Sequence, residues 1–153
     1  MSKFDTNGNR VSLKGVPSGA SLGLVGIGGR VEVTGITAPI YALVATPDYS
    51  FGDFIPFFCI ANLVSSTHDD VADLKFSVGS TDDPEVDSVG FTDYLGINYS
   101  PTGVAYFFPV ILDTDLGDNV LREGRSIYMV CNTDLYTDNF VFDAFVYGWY
   151  FKQ

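Results

Sequence analysis

Positive charge is scarce in this chain. Only 8 Lys and Arg stand against 19 Asp and Glu, a net charge of −11 over 153 residues. Residues 1–14 carry Lys3, Arg10 and Lys14 against Asp5 alone, a local +2 that leaves −13 for everything after. A body this acidic lacks the cationic contacts on which affinity for a phosphate backbone rests, so nucleic acid is disfavoured as a partner. An anionic membrane surface is disfavoured for the same reason. Histidine is scarcer still, with His68 alone in Ser65-Ser66-Thr67-His68-Asp69-Asp70. A triad or general base most often uses histidine, and with no nucleophile elbow in the chain His68 reads as a solvated turn residue. The sequence points to no enzyme. Two cysteines and one histidine are too few for a structural zinc site. No uncharged apolar run reaches about 18 residues and no secretory-type start is present, so the chain is expected to begin as a soluble cytosolic product.

Aromatic residues are abundant, with 13 Phe, 9 Tyr and one Trp. They concentrate in Phe140–Phe151, which is apolar or aromatic at nearly every position. Side chains alternate across a strand, so Phe142, Ala144, Val146 and Tyr150 are expected in a core, while Phe145, Tyr147, Trp149 and Phe151 point the other way. That second aromatic face also needs cover, and in a short chain a second copy can supply it. Phe145, Tyr147 and Trp149 are therefore the candidate self-association residues. Cys59 and Cys131 both sit inside apolar runs and read as small core hydrophobes, with a disulfide or a reactive thiol as the alternative.

Residues 1–21, rich in Gly, Ser and Asn, read as an arm or irregular entry segment, and residues 22–153 as one β-sandwich domain. The pattern turns to β at Leu22–Ile27, with Gly28-Gly29 as a hairpin turn into Arg30–Thr34. Further strands are expected at Ile40–Ala45, Phe54–Val64, Val71–Gly79, Val104–Leu112, Ser126–Asn132 and Phe140–Phe151. Pro56 marks a strand start, an edge or a bulge. In Val71–Gly79, Ala72, Leu74, Phe76 and Val78 share one face and Asp73, Lys75 and Ser77 the other, which reads as wet. Ser80–Pro101 is a long excursion without a clear period. About eight strands with turns between them and no sustained helical period place the fold as all-β, a β-sandwich of jelly-roll type.

Two loops carry acidic clusters. Asp113, Asp115 and Asp118 begin like a calcium loop, but Leu116-Gly117 departs from the EF-hand pattern. Asp82, Asp83, Glu85 and Asp87 form the second cluster. Oxygen ligands on irregular loops suit calcium, yet acidic loops are usually only solvated, and no cofactor or metal is expected. Gly26-Ile27-Gly28-Gly29-Arg30 has phosphate-loop spacing at its start, but Val31 fills the sixth place and no helix follows.

The segment Leu74-Lys75-Phe76-Ser77-Val78-Gly79-Ser80-Thr81-Asp82-Asp83-Pro84-Glu85 resembles one found in small all-β bacteriophage virion proteins, with Val78-Gly79 and Asp83-Pro84 as the matching pairs. The ending, Ser126–Val130, a short polar link and Phe142–Tyr147, is similar to theirs. The likeness covers roughly residues 54–151 and leaves the N-terminal third outside it. It implies a capsid decoration or cement protein on the exterior of the virion, made in the host cytoplasm. Such a protein binds the major capsid protein and associates with itself as a trimer or dimer. From its charge, the arm bearing Lys3, Arg10 and Lys14 reads either as a segment that lies on an acidic neighbouring protein or as a frayed terminus. The final strand departs from the pattern, being aromatic where the family carries Val and small residues. Alternative readings are a tail or fibre component and, from a different class, a carbohydrate-binding module, since Trp and Tyr rings stack well on sugars.

Overall fold

The computed structural model describes residues 23–86, 89–98, 103–111 and 120–152. The arm and Asp87, Asp113, Asp115 and Asp118 lie outside the described residues. Nine strands are present among the described residues: β1 (Val25–Thr34), β2 (Ile40–Ala45), β3 (Asp53–Ser66), β4 (Ala72–Ser80), β5 (Val89–Gly90), β6 (Leu95–Ile97), β7 (Ala105–Pro109), β8 (Arg125–Cys131) and β9 (Asn139–Phe151). A 3-10 turn, Tyr49–Phe51, lies between β2 and β3, and the Asp48 carboxylate caps it by accepting from the Ser50 amide at 3.1 Å. No helix among the described residues is long and apolar enough to cross a membrane.

The strands form two antiparallel sheets. One has the order β1-β9-β3-β7, and the other β2-β8-β4-β5, with β6 also on β4. Strands β5 and β6 pair with successive parts of β4, at Ser77–Val78 and at Ala72–Leu74. Together they make one interrupted edge strand, which leaves eight strands in two sheets of four. From β1 to β4, and again from β7 to β9, the chain crosses from one sheet to the other at every connection. This alternation, with the first strand beside the last, is the connectivity of a jelly-roll-like β-sandwich.

One core lies between the sheets. Phe142, Ala144, Val146 and Tyr150 of β9 enter it, opposite Leu74, Phe76, Ile127 and Met129 of the second sheet. The Phe76 ring crosses to meet Phe108 of β7 edge-on, with centroids 5.0 Å apart, and so joins the two sheets. Cys59 and Cys131 are free, buried, and in opposite sheets. Burial raises both thiol pKa values.

Three local expectations are overturned. Gly28-Gly29 is no hairpin turn, for β1 runs unbroken through it, paired residue for residue with β9. Gly28 has φ +142°, and a β-carbon there would run into the Ala144 carbonyl, so the glycine serves close approach to β9 and not chain reversal. His68 is not solvated. Thr67 and Asn139 exchange bonds, Thr67 N–H to the Asn139 carbonyl at 3.0 Å and Asn139 N–H to Thr67 Oγ1 at 2.9 Å. These hold His68 against Phe140, buried, with Nδ1 3.4 Å from Asp138 Oδ2. The outer face of β4 is wet only at its start: Asp73 is exposed, while Ser77 is fully buried between its register partners Gly90 and Tyr128.

Candidate self-association face

The outer surface of the β1-β9-β3-β7 sheet is built by alternation. With Phe142, Ala144 and Val146 committed to the core, Asp143, Phe145, Tyr147 and Trp149 of β9 must face outward. Register sets their neighbours: Phe145 lies between Gly28 and Ile60, and Tyr147 between Gly26 and Phe58. Beyond β3, Phe107 of β7 stands opposite Ile60.

A shift in pairing between Pro56 and Phe58 places Phe57 at a bulge. A bulge inserts a residue and re-aims its side chain. Phe57 and Phe58 consequently contact each other, with centroids 5.5 Å apart, where strict alternation would separate them. The result is one connected set of six rings. Phe145 meets Tyr147 at 6.5 Å, Tyr147 stacks on Phe58 at 4.8 Å and 14°, and Phe58 meets Phe107 at 5.4 Å. Phe57 continues the set to Trp149 at 5.0 Å. Glycine shapes the other border: the Tyr147 ring lies over Gly26, where a β-carbon would come within 2.7 Å of it.

The rings differ in exposure. Phe57 is 53% exposed and Phe107 57%, whereas Trp149 is 7% exposed. Phe145 and Tyr147 are partly exposed. Of the three residues expected to associate, two therefore reach solvent, and Trp149 lies on the expected side but under cover within the same chain. Sequence reasoning missed Phe57, Phe58 and Phe107. For Phe57 and Phe58 the near-continuous apolar run of β3 was the only signal, and the bulge hid which of its rings faced out; for Phe107 it was the apolar run of β7.

At one end of this face the Arg30 guanidinium grips Asp143, Nε to Oδ1 at 2.7 Å and a terminal nitrogen to Oδ2 at 3.3 Å. The hydrogen bond holds the Asp143 carboxyl below its ordinary value. Beside them Glu32 accepts from the Asn139 side-chain amide at 3.0 Å. Elsewhere Asp82, Asp83 and Glu85 are exposed, and Asp83 accepts from the Glu85 amide at 3.0 Å as in an ordinary turn. Among the described residues no group of three or more His, Cys, Asp or Glu side chains comes together to hold a metal ion. Comparison of the chain with family models, with curated proteins and with solved structures gave no match in any of the three.

Proposed function

We propose that this chain is a structural protein of a bacteriophage virion, a capsid decoration protein that binds the major capsid protein and copies of itself on the outside of the head. The observation that carries the reading is the open aromatic face centred on Phe58, Tyr147 and Phe107. Single exposed hydrophobic residues are ordinary on a protein surface, whereas a contiguous patch marks a contact with another macromolecule. Burial of that face against a neighbour would be the working principle. A protein that binds only the assembled shell stabilises it by mass action, so occupancy would raise the resistance of the head to heat. A jelly-roll-like sandwich agrees with this reading without establishing it, because one fold hosts many functions.

A tail or fibre component would use the same face against a different neighbour. The carbohydrate-binding alternative is less well supported: the two most open rings of the face are Phe57 and Phe107, without a hydroxyl or indole N–H, and Trp149 is closed. The test is light scattering of the purified chain combined with co-sedimentation with empty phage heads. The expected result is an oligomer that sediments with heads and loses its binding to heads on Phe57→Ser with Phe107→Ser. A monomer that ignores heads overturns the reading, and a glycan array then decides the remaining alternative.

A further inference from the structure

Sheet edges are natural templates for pairing with another chain, and proteins usually blunt them. Three edges of this sandwich are blunted. Strand β7 has five residues and ends in Pro109, β2 is six residues long and broken by a register shift at Leu43/Ala45, and β5 and β6 have two and three residues. Strand β1 is different: ten residues, paired with β9 without a shift and containing neither proline nor lysine. Among the described residues no strand pairs with its other edge.

We propose that β1 is a self-pairing edge, on which a second copy of this chain adds its own β1 antiparallel about a two-fold axis through Val31, joining two four-stranded sheets into one of eight. This rests on the self-association reading above and deepens it by naming the contact. Charge selects the register. Directly opposed residues in an antiparallel pair share a face, so a two-fold axis must pass through a residue position. An axis at Arg30 sets Arg30 against itself, and one at Glu32 sets Glu32 against itself. Like charges directly opposite destabilise a sheet. An axis at Gly29 places Arg30 opposite Gly28, with no charge partner. The axis at Val31 places Arg30 opposite Glu32 of the second copy, twice by symmetry.

Both side chains are placed for this. They lie on the outer face, where the register sets Arg30 against Asp143 and Glu32 against Val141. Arg30 remains 61% exposed while bound to Asp143, so its guanidinium can bridge Asp143 and the second copy's Glu32. On the opposite face Val31 would meet its own counterpart and Val33 would lie over Gly29 of the second copy, small enough to accept it. The joined sheet would also set two aromatic faces side by side.

The test is sedimentation equilibrium of the full chain and three variants, with circular dichroism to confirm folding. Wild type is expected to be a dimer. Glu32→Arg leaves the Arg30–Asp143 pair intact and faces Arg30 with a second arginine, so dimerisation should weaken by about tenfold or more, as should Arg30→Glu. The double exchange, Arg30→Glu with Glu32→Arg, made with Asp143→Asn so that the new carboxylate at position 30 faces none in β9, should restore dimerisation to near the wild-type value. An oligomer insensitive to both single variants overturns the edge inference while self-association stands. A dimer weakened by both but not rescued by the double exchange overturns the Val31 register, and a trimer overturns the two-fold. A monomer at every concentration overturns both the edge and self-association.

Discussion

The indole of Trp149 lies 5.0 Å from the ring of Phe57, tilted by 43°, and is 7% exposed under a ring that is itself 53% exposed. A residue in a bulge of β3 thus shields the outward-facing tryptophan of β9. Trp149 is the chain's one tryptophan, so tryptophan emission reports on this indole alone. Phe57→Ala is expected to shift the emission to the red and to cost about 0.5–1.5 kcal/mol of stability, the usual worth of an aromatic pair. Measurement at dilutions where the chain is monomeric separates this effect from association. Emission unchanged from wild type would show that Phe57 does not provide the cover.

Alternation in Phe140–Phe151 was legible because a strand has only two faces, and the buried set Phe142, Ala144, Val146 and Tyr150 is the one that period two predicts. Strand β2 was legible for another reason: apolar residues between Pro39 and Pro47 leave little room for other boundaries. Gly28-Gly29 misled because a local signal for a turn is also the signal for close approach by a distant strand, and only the pairing with Ala144 and Phe145 distinguishes them. The neighbours of Tyr147 were illegible for the same non-local reason. A one-residue bulge at Phe57 decides which rings of β3 join it, and pairing register cannot be read from either strand alone.

The inter-sheet contact of Phe76 with Phe108 carries a second prediction. Phe76 is fully buried, meets Phe108 at 5.0 Å and Phe91 at 6.3 Å, and shares the core with both sheets. Removal of its ring takes away transfer energy and leaves a cavity that strands held on both sides cannot close. Phe76→Ala should destabilise by about 3–5 kcal/mol. The urea midpoint should fall with an unchanged slope. A loss below about 1 kcal/mol would mean that the sheets do not meet through this ring.

Two buried serines in neighbouring strands should respond with opposite signs. Ser77 Oγ in β4 is buried with no hydrogen-bond partner. Ser126 Oγ in β8 is buried too, but lies 2.6 Å from Thr46 Oγ1 and donates to Thr81 Oγ1 at 3.1 Å. A hydroxyl that lost its water on folding and found no partner costs stability, whereas a satisfied one contributes. Ser77→Ala is therefore expected to raise stability by roughly 0.5–1 kcal/mol, and Ser126→Ala to lower it by roughly 0.5–1.5 kcal/mol. Chemical unfolding of the two variants side by side checks this, and equal signs would contradict it.

The alkaline limb of stability follows from burial. Ordinary thiols ionise near 9.0 and phenols near 10.0, and desolvation raises Cys59, Cys131 and Tyr49 above those values in the folded chain. As pH rises, the unfolded chain releases these protons first, so the unfolded state is stabilised relative to the folded one. Stability should be fully present below about pH 9 and should decline as the pH climbs toward the raised folded values. Tyr49 also donates its hydroxyl to the Arg125 carbonyl at 2.7 Å, tying the turn after β2 to β8. Tyr49→Phe should cost about 1 kcal/mol at pH 7 through that lost bond. Above pH 10 the cost should shrink, because the variant has no phenol to ionise when unfolded. Urea midpoints of the two proteins from pH 7 to pH 11 give the comparison, and a cost that grows with pH would contradict the assignment. The same burial keeps both thiols from a thiol reagent at pH 8 until denaturant is added, when two should react. Reaction of either one in the folded chain would place it outside the core.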